Sequence, residues 1–295
     1  MAVLGQQIAN LLFIGSVYSL FALGYTLIFG VLDILNLAHS AIFMVGAFVA
    51  LVLVVNLGLN IVLAFVLAMA ATGVAGIILN AVAFAPLRAR GASNLAPMIS
   101  SLGVAIILQT VALGIFGGHV YRFPQGTLPN IPLTIGEVHV DALQIAIFLI
   151  AIVLMAALQF MMRATRLGKS IRAVAENQRA AKLLGINVER VIAITFAISS
   201  ALGGAAGVLV GLSLNAIAPD MGQNIELKGL AVIIVGGMGS IPGALIAGFF
   251  LAATEVFSIS VISSTVRDAI AFGLLFIVLL IRPSGILGRR ALREA

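Results

Sequence analysis

Residues 167–170 of the chain read LGKS, the closing half of a phosphate-binding loop. A complete loop of that kind carries a glycine five residues before Gly168, and that position is Arg163. It also follows a strand, whereas here a long apolar run comes first. ATP is therefore not expected to bind this stretch. Other chemistry is equally poorly supplied. Cysteine is absent, which removes thiolate ligands, thiol nucleophiles and disulfides. The three histidines, His39, His119 and His139, have no ligand-like spacing, and neither HExxH nor GxSxG occurs. An intramembrane enzyme with His39 and Asp33 set about a serine can be drawn, but no motif supports it. We expect no catalytic residue, no metal and no cofactor.

The elements that must position the remaining polar residues are set by composition. Of 295 residues 62% are hydrophobic and only 9% charged, with a mean hydropathy of +1.24. A soluble chain carries roughly a quarter charged residues, so the bilayer is the expected solvent. A bilayer core needs about 20 apolar residues per helix. Runs of that kind lie at 8–29, 37–55, 61–83, 97–116, 143–162, 191–214 and 266–281. A further apolar region, 227–258, is interrupted by GGMGSIPG at 236–243, leaving two pieces that each read as short for a crossing. The expectation is an all-α polytopic bundle of about eight membrane segments, forming one transmembrane domain over 1–295. No Lys or Arg precedes the first apolar run, unlike a signal peptide, so that span is expected to stay in the mature protein.

Sidedness follows from Lys and Arg. Arg88 and Arg90 lie in the loop 84–96. Seven basic residues lie in 163–190, and Arg282, Arg289, Arg290 and Arg293 lie in the tail. These regions are expected in the cytoplasm, and the loop 117–142, with only Arg122, outside. Alternating crossings then put the N-terminus outside, unless LDILNLAH at 32–39 is itself an irregular piece within the membrane. Basic residues confined to loops between spans do not suggest nucleic acid.

Within 163–190, the stretch VAENQRAAKLLGINVER at 174–190 predicts a helix. Val174, Ala181 and Leu184 share one side of it, Glu176, Arg179 and Lys182 another, and Gly185 stands where a left-handed cap would end it. Two readings stand. The helix lies on lipid headgroups, or its small residues insert into a groove on another protein.

Three residue sets inside the membrane also carry alternatives. Asp33, Asn36 and His39 either sit in an interfacial loop or line a pathway. Gly236, Gly237 and Gly239 form either a tight turn between helices or a helix break beside a pathway. Gly203, Gly207 and Gly211 make two overlapping GxxxG patterns, read as packing within the subunit or against a second copy. Glu255 is read as interfacial or as meeting a partner subunit, Gln109 as a hydrogen bonder between helices, and Asn215, Asp220, Gln223 and Asn224 as a short external loop.

ENQRAAKLLGINVERV at 176–191 resembles the coupling loop of ABC importer permeases. LDILNLAHSAIFMVGAF at 32–48 and GLAVIIVGGMGSIPGALIAG at 229–248 resemble the permeases of branched-chain amino acid ABC transporters, over almost the whole chain. Ser40 departs from the glycine common at that place in such permeases, which bears on local packing only. The resemblance implies that Arg172, Glu176, Asn177, Arg179, Ala180, Ala181 and Gly185 form a joint with an ATP-hydrolysing subunit. It moves Asp33, Asn36 and His39 toward a pathway-lining role. It also implies the partners: two ATPase subunits, a second permease, identical or related, a periplasmic or lipid-anchored amino-acid-binding protein, and membrane lipid. The implied activity is ATP-driven import of branched-chain or other neutral amino acids across a bacterial inner membrane, by a subunit that is not itself an enzyme. Two alternatives remain, a permease for urea or short amides and an ion-coupled secondary transporter. The small number of charges within the spans speaks against the second.

Overall fold

The computed structural model describes residues 2–124, 127, 132–135, 138–261 and 267–288. The chain enters as α1 (Ala2–Leu32), an apolar helix that ends at Asp33, whose backbone is left-handed (φ 55°). Residues 33–38 are irregular, and α2 (His39–Leu57) follows. Gly58 closes α2 in the left-handed conformation, and Asn60 opens α3 (Ile61–Leu79) by accepting the Val62 N–H at 2.8 Å. A π-helical turn, Asn80–Phe84, carries α3 into the short α4 (Ala85–Ala89) without a break. Next come α5 (Leu95–Phe116) and an antiparallel ribbon of β1 (Pro132–Ile135) and β2 (Val138–Asp141). Then come α6 (Ala142–Ala164), α7 (Arg166–Glu176), α8 (Gln178–Leu183) and α9 (Val188–Leu214). The last described helices are α10 (Met221–Gly236), α11 (Ile241–Val261) and α12 (Arg267–Ile281).

Seven of these helices are long and apolar enough to cross a membrane: α1, α2, α3 with its continuation to Ala89, α5, α6, α9 and α11. With the shorter α10 and α12, this is close to the eight segments expected, and the two-stranded ribbon is the one departure from helix among the described elements. Two expectations need correction. The piece after the glycine break is not short, because α11 runs 21 residues and is a crossing in its own right. Gln223 and Asn224 belong to the first turns of α10, so the polar loop expected at 215–224 contracts to 215–220.

The helices α1 and α9 form the buried centre, and α2 and α11 flank them. The outer staves α3, α5 and α6 show apolar side chains such as Val66, Ile106 and Val153 to the surroundings, which suits lipid. Close approach comes from small residues. Gly207 of α9 lies directly against the Phe43 carbonyl of α2, and a Cβ built on Gly46 would stand 2.5 Å from the backbone of Gly204. The GxxxG face of α9 therefore packs within the chain.

Two ends of the bundle can be told apart. At one, Arg88 pairs with Glu189 at 2.7 Å, joining the loop 84–96 to the 163–190 segment, and α7 packs on α1. We call this the basic end. At the other, Tyr121 and Ile217 form a β-bridge, and Asn215 accepts the Phe123 N–H at 2.9 Å.

Candidate functional site

The 163–190 segment is not one helix but two, set at an angle by a capped break. Thr165 opens α7 by accepting the Gly168 N–H at 3.1 Å. One face of α7, through Ile171 and Val174, is buried in the main core. Asn177 then takes an extended backbone (φ −158°), which ends α7, and its Oδ1 accepts the Ala180 N–H at 3.0 Å to start α8. The far end of α8 closes as expected: Gly185 is left-handed (φ 82°), and the Ile186 N–H returns to the Ala181 carbonyl at 3.0 Å. Asn187 immediately caps α9 through the Arg190 N–H.

Two residues differ from expectation here. Ala181 is buried (2% exposed) in the chain's own core, so it does not face outward with Ala180. Leu184 does not share the buried side with Val174 and Ala181, because α8 ends at Leu183 and Leu184 is its C-cap; it is 81% exposed, and Leu183 is 89% exposed. Arg172, Glu176, Asn177, Arg179, Ala180 and Gly185 all face outward. A groove of about 610 Å³ runs along this surface, lined by Arg179, Lys182, Gly185, Ile186 and Glu189 among others. Adjacent exposed leucines beside Arg179 and Lys182 form a small apolar contact ringed by cations, the chemistry of a protein interface.

The residues expected together as Asp33, Asn36 and His39 separate. Asp33 is exposed where α1 ends, at the basic end. Asn36 and His39 are buried at membrane depth. The His39 ring stands between Phe21 and Tyr25, with centroids 4.8 and 4.9 Å away. Its Nε2 lies 3.2 Å from the Phe21 carbonyl; a carbonyl only accepts, so Nε2 carries the proton. Gly24 and Gly203 make the room, since a Cβ on either would stand 2.5 or 2.7 Å from His39 Cε1. Gly203 is thus a seat for an imidazole as well as a helix contact. The irregular segment before α2 is held by side chains: Asn36 Oδ1 accepts the Ala38 N–H at 3.2 Å, and Ser101 accepts the Leu37 N–H at 3.0 Å. Non-helical backbone at this depth requires such protein cover.

The glycine break is a helical hairpin turn. Gly237 (φ 97°) and Gly239 (φ 81°) supply the conformation, and Gly236 packs on the backbone of Gly243. Residues after α12 seal it, with Ile286 N–H donating to the Val235 carbonyl at 2.7 Å and Leu287 N–H to Gly236 at 3.1 Å. Gly239 also lies against Gly30, so the turn sits near Asp33.

Charges at membrane depth are more numerous than hydropathy indicated. Lys228 of α10 pairs with Glu255 of α11 at 2.7 Å, and Tyr18 of α1 donates to Glu255 at 2.8 Å. Glu255 is 1% exposed, enclosed within the chain by Lys228 and Tyr18. Two residues before Lys228, Glu226 accepts from Ser40 at 2.9 Å and from Tyr25 at 3.4 Å. Gln223 donates to Gln109 at 3.1 Å, tying α10 to α5 as expected for Gln109. Glu226 and Lys228 were not singled out from the sequence; their signal was two charges flanking Leu227 at the head of an apolar run.

Comparison with known proteins follows this geometry. The family model described as branched-chain amino acid transport system / permease component matches residues 7–279. The chain is 37% identical over 96% of its length to the high-affinity branched-chain amino acid transport system permease protein BraD of Pseudomonas aeruginosa, covering 95% of that protein. It is 34% identical, with the same coverage, to the corresponding permease LivH of Escherichia coli. A more distant similarity, 27% over 86% of the chain, is to the ribose import permease protein RbsC of Haemophilus influenzae, of which it covers 79%.

Proposed function

This chain belongs to the branched-chain amino acid transport permease family, and from that membership we propose that it is the membrane-spanning, non-catalytic subunit of an ATP-driven importer of branched-chain or other neutral amino acids. The whole chain acts as one permease domain in a bacterial inner membrane. The 163–190 segment and the tail face the cytoplasm, where the clustering of Arg88, the α7–α8 pair and Arg282 at one end supports that orientation.

The observation that carries the mechanism is the outward surface of α8, with Arg179, Ala180, Lys182, Leu183 and Leu184, on a mount rooted in the core. An ATPase subunit grips that surface, and one such subunit serves each of two permeases. Movement of α8 passes through Ala181, Val174 and Ile171 to α1, α6 and α9. The Arg88–Glu189 pair and the Arg88–Asn80 hydrogen bond at 3.0 Å carry it on to α3. The substrate path lies between this chain and a second permease, passing the segment with Asn36 and His39. Its cytoplasmic mouth is flanked by Asp33 and the Gly236, Gly237 and Gly239 turn. A periplasmic or lipid-anchored binding protein delivers substrate at the end where Tyr121 and Phe123 meet Ile217 and Asn215. ATP hydrolysis belongs to the partner subunits; lipid surrounds the outer staves, and nucleic acid has no part.

The test is Ala180→Trp in the assembled transporter. Amino acid uptake and substrate-stimulated ATPase should fall together while membrane insertion is unchanged. Normal coupling in this variant would refute the joint.

A further inference from the structure

Glu226 poses a problem that the fold does not resolve by itself. Gly203, which seats His39, is eleven residues from the end of α9 at Leu214. At 1.5 Å per residue that is about 16 Å, near the middle of a hydrocarbon core of about 30 Å. Ser40 follows His39, and Glu226 is hydrogen-bonded to Ser40, so its carboxylate lies at that depth. It is only half-buried. It shares the outward face of α10 with Gln223 and with Leu227, which is 60% exposed.

A carboxylate in that position cannot face hydrocarbon; it must meet protein or water. Its described partners are two hydroxyl donors, Ser40 and Tyr25, which hold its oxygens without neutralising them. Among the described residues no Lys or Arg forms an ion pair with it. The nearby Lys228 turns to the other side of α10, toward Glu255. Glu226 also stands at the N-terminus of α2, the positive end of that helix, which favours a negative charge there. Gln223 and Gln109 add neutral hydrogen-bonding groups alongside. The arrangement is a fixed, oriented carboxylate on a polar outward strip, lacking one positive charge.

We propose that Glu226, held by Ser40 and Tyr25, is the station in the membrane passage that recognises the ammonium group of the transported amino acid. This rests on the reading of the chain as an amino acid importer. A zwitterion crossing the bilayer must keep its ammonium solvated, and Glu226 replaces water at the depth where water is scarcest. The neutral side chain of the substrate meets Leu227 and its neighbours, so selectivity for the α-amino group is separate from selectivity for the side chain.

The experiment uses the complete transporter with its ATPase and binding-protein subunits in vesicles, and radiolabelled leucine. Leucine uptake by the unmodified transporter tests the importer reading; its absence there would overturn that reading and this inference with it. With uptake established, Glu226→Gln should lower its initial rate by about 10- to 100-fold, the worth of a charged hydrogen bond. Basal ATPase and the amount of assembled complex should stay unchanged, and Glu226→Asp should restore part of the rate. Since the chain has no cysteine, Glu226→Cys places a single thiol at the site. Modification by a sulfonate-bearing methanethiosulfonate should recover uptake, whereas a neutral methyl adduct should not, and leucine should slow the reaction. Uptake by Glu226→Gln near the unmodified rate would overturn the proposal while leaving the importer reading intact. So would equal rescue by the neutral adduct, or a thiol that never reacts in a correctly assembled complex.

Discussion

Helices α8 and α10 are both short and both rich in polar residues, and they dispose of them in opposite ways. The α8 helix turns Arg179 and Lys182 outward, where water solvates them, and leaves Leu183 and Leu184 exposed beside them. The α10 helix turns Lys228 inward to Glu255 and ties Glu226 to Ser40 and Tyr25. At the water-facing end the informative feature is therefore an exposed apolar side chain, and within the membrane it is an incompletely neutralised charge. The same rule, that buried polar groups need partners and exposed apolar ones are costly in water, underlies both the protein contact proposed for α8 and the solute contact proposed for Glu226.

The comparison is broken most forcefully at Lys228. Lys228→Met leaves Glu255 buried beside Tyr18 without its cation, which should cost about 3–5 kcal/mol. Thermal unfolding of the detergent-purified chain should show the loss, and adding Glu255→Leu should recover most of it. A single variant as stable as the parent would mean that the pair does not hold α10 to α11. Next come the two neighbouring alanines. Ala181→Trp overpacks the core and should destabilise the chain by about 1–3 kcal/mol. Ala180→Trp should leave the unfolding temperature alone and uncouple transport. If the two behave alike, the inward and outward assignment of α8 is wrong. The joint Leu183→Asp and Leu184→Asp change should weaken capture of the ATPase subunit roughly tenfold, as expected for loss of about 1.4 kcal/mol of contact energy. Binding measured by pull-down titration checks it. The smallest effect should come from Asn177→Ala, which removes one cap at about 1 kcal/mol. Amide exchange at Ala180 and Ala181 should quicken, with little change elsewhere in the chain.

Much of this organisation was legible from single residues and short periods. The spans followed from runs of apolar residues, and the grouping of basic loops from Arg88 and the 163–190 segment. Gly185 was readable as a cap because left-handed backbone is a local property. The break at Asn177 was missed although its signal was present: an asparagine placed to cap Ala180, within a sequence of strong helix formers that masked it. Val174 and Ala181 do share a side, as their spacing indicated, but Leu184 leaves it because α8 ends one residue earlier. Glu226 and Lys228 were hidden by averaging, and Glu255, though visible, could not be matched to its partner. Hydropathy counts each charge as a penalty and has no term for a lysine that meets its carboxylate on the next helix. The separation of Asp33 from His39 depended on where an irregular six-residue segment sends the chain, which no local rule specifies.

The polar contacts of α1 reach far along the chain, and this bears on biogenesis. Tyr18 finds Glu255 237 residues later, Tyr25 finds Glu226 201 residues later, and Gly24 accepts the Ser199 hydroxyl 175 residues later. Helix α1 is therefore made well before Ser199, Glu226 and Glu255, and these contacts close only once those residues have been synthesised. A nascent chain stopped before α9 lacks all three distant partners, so α1 completes its polar contacts late in synthesis.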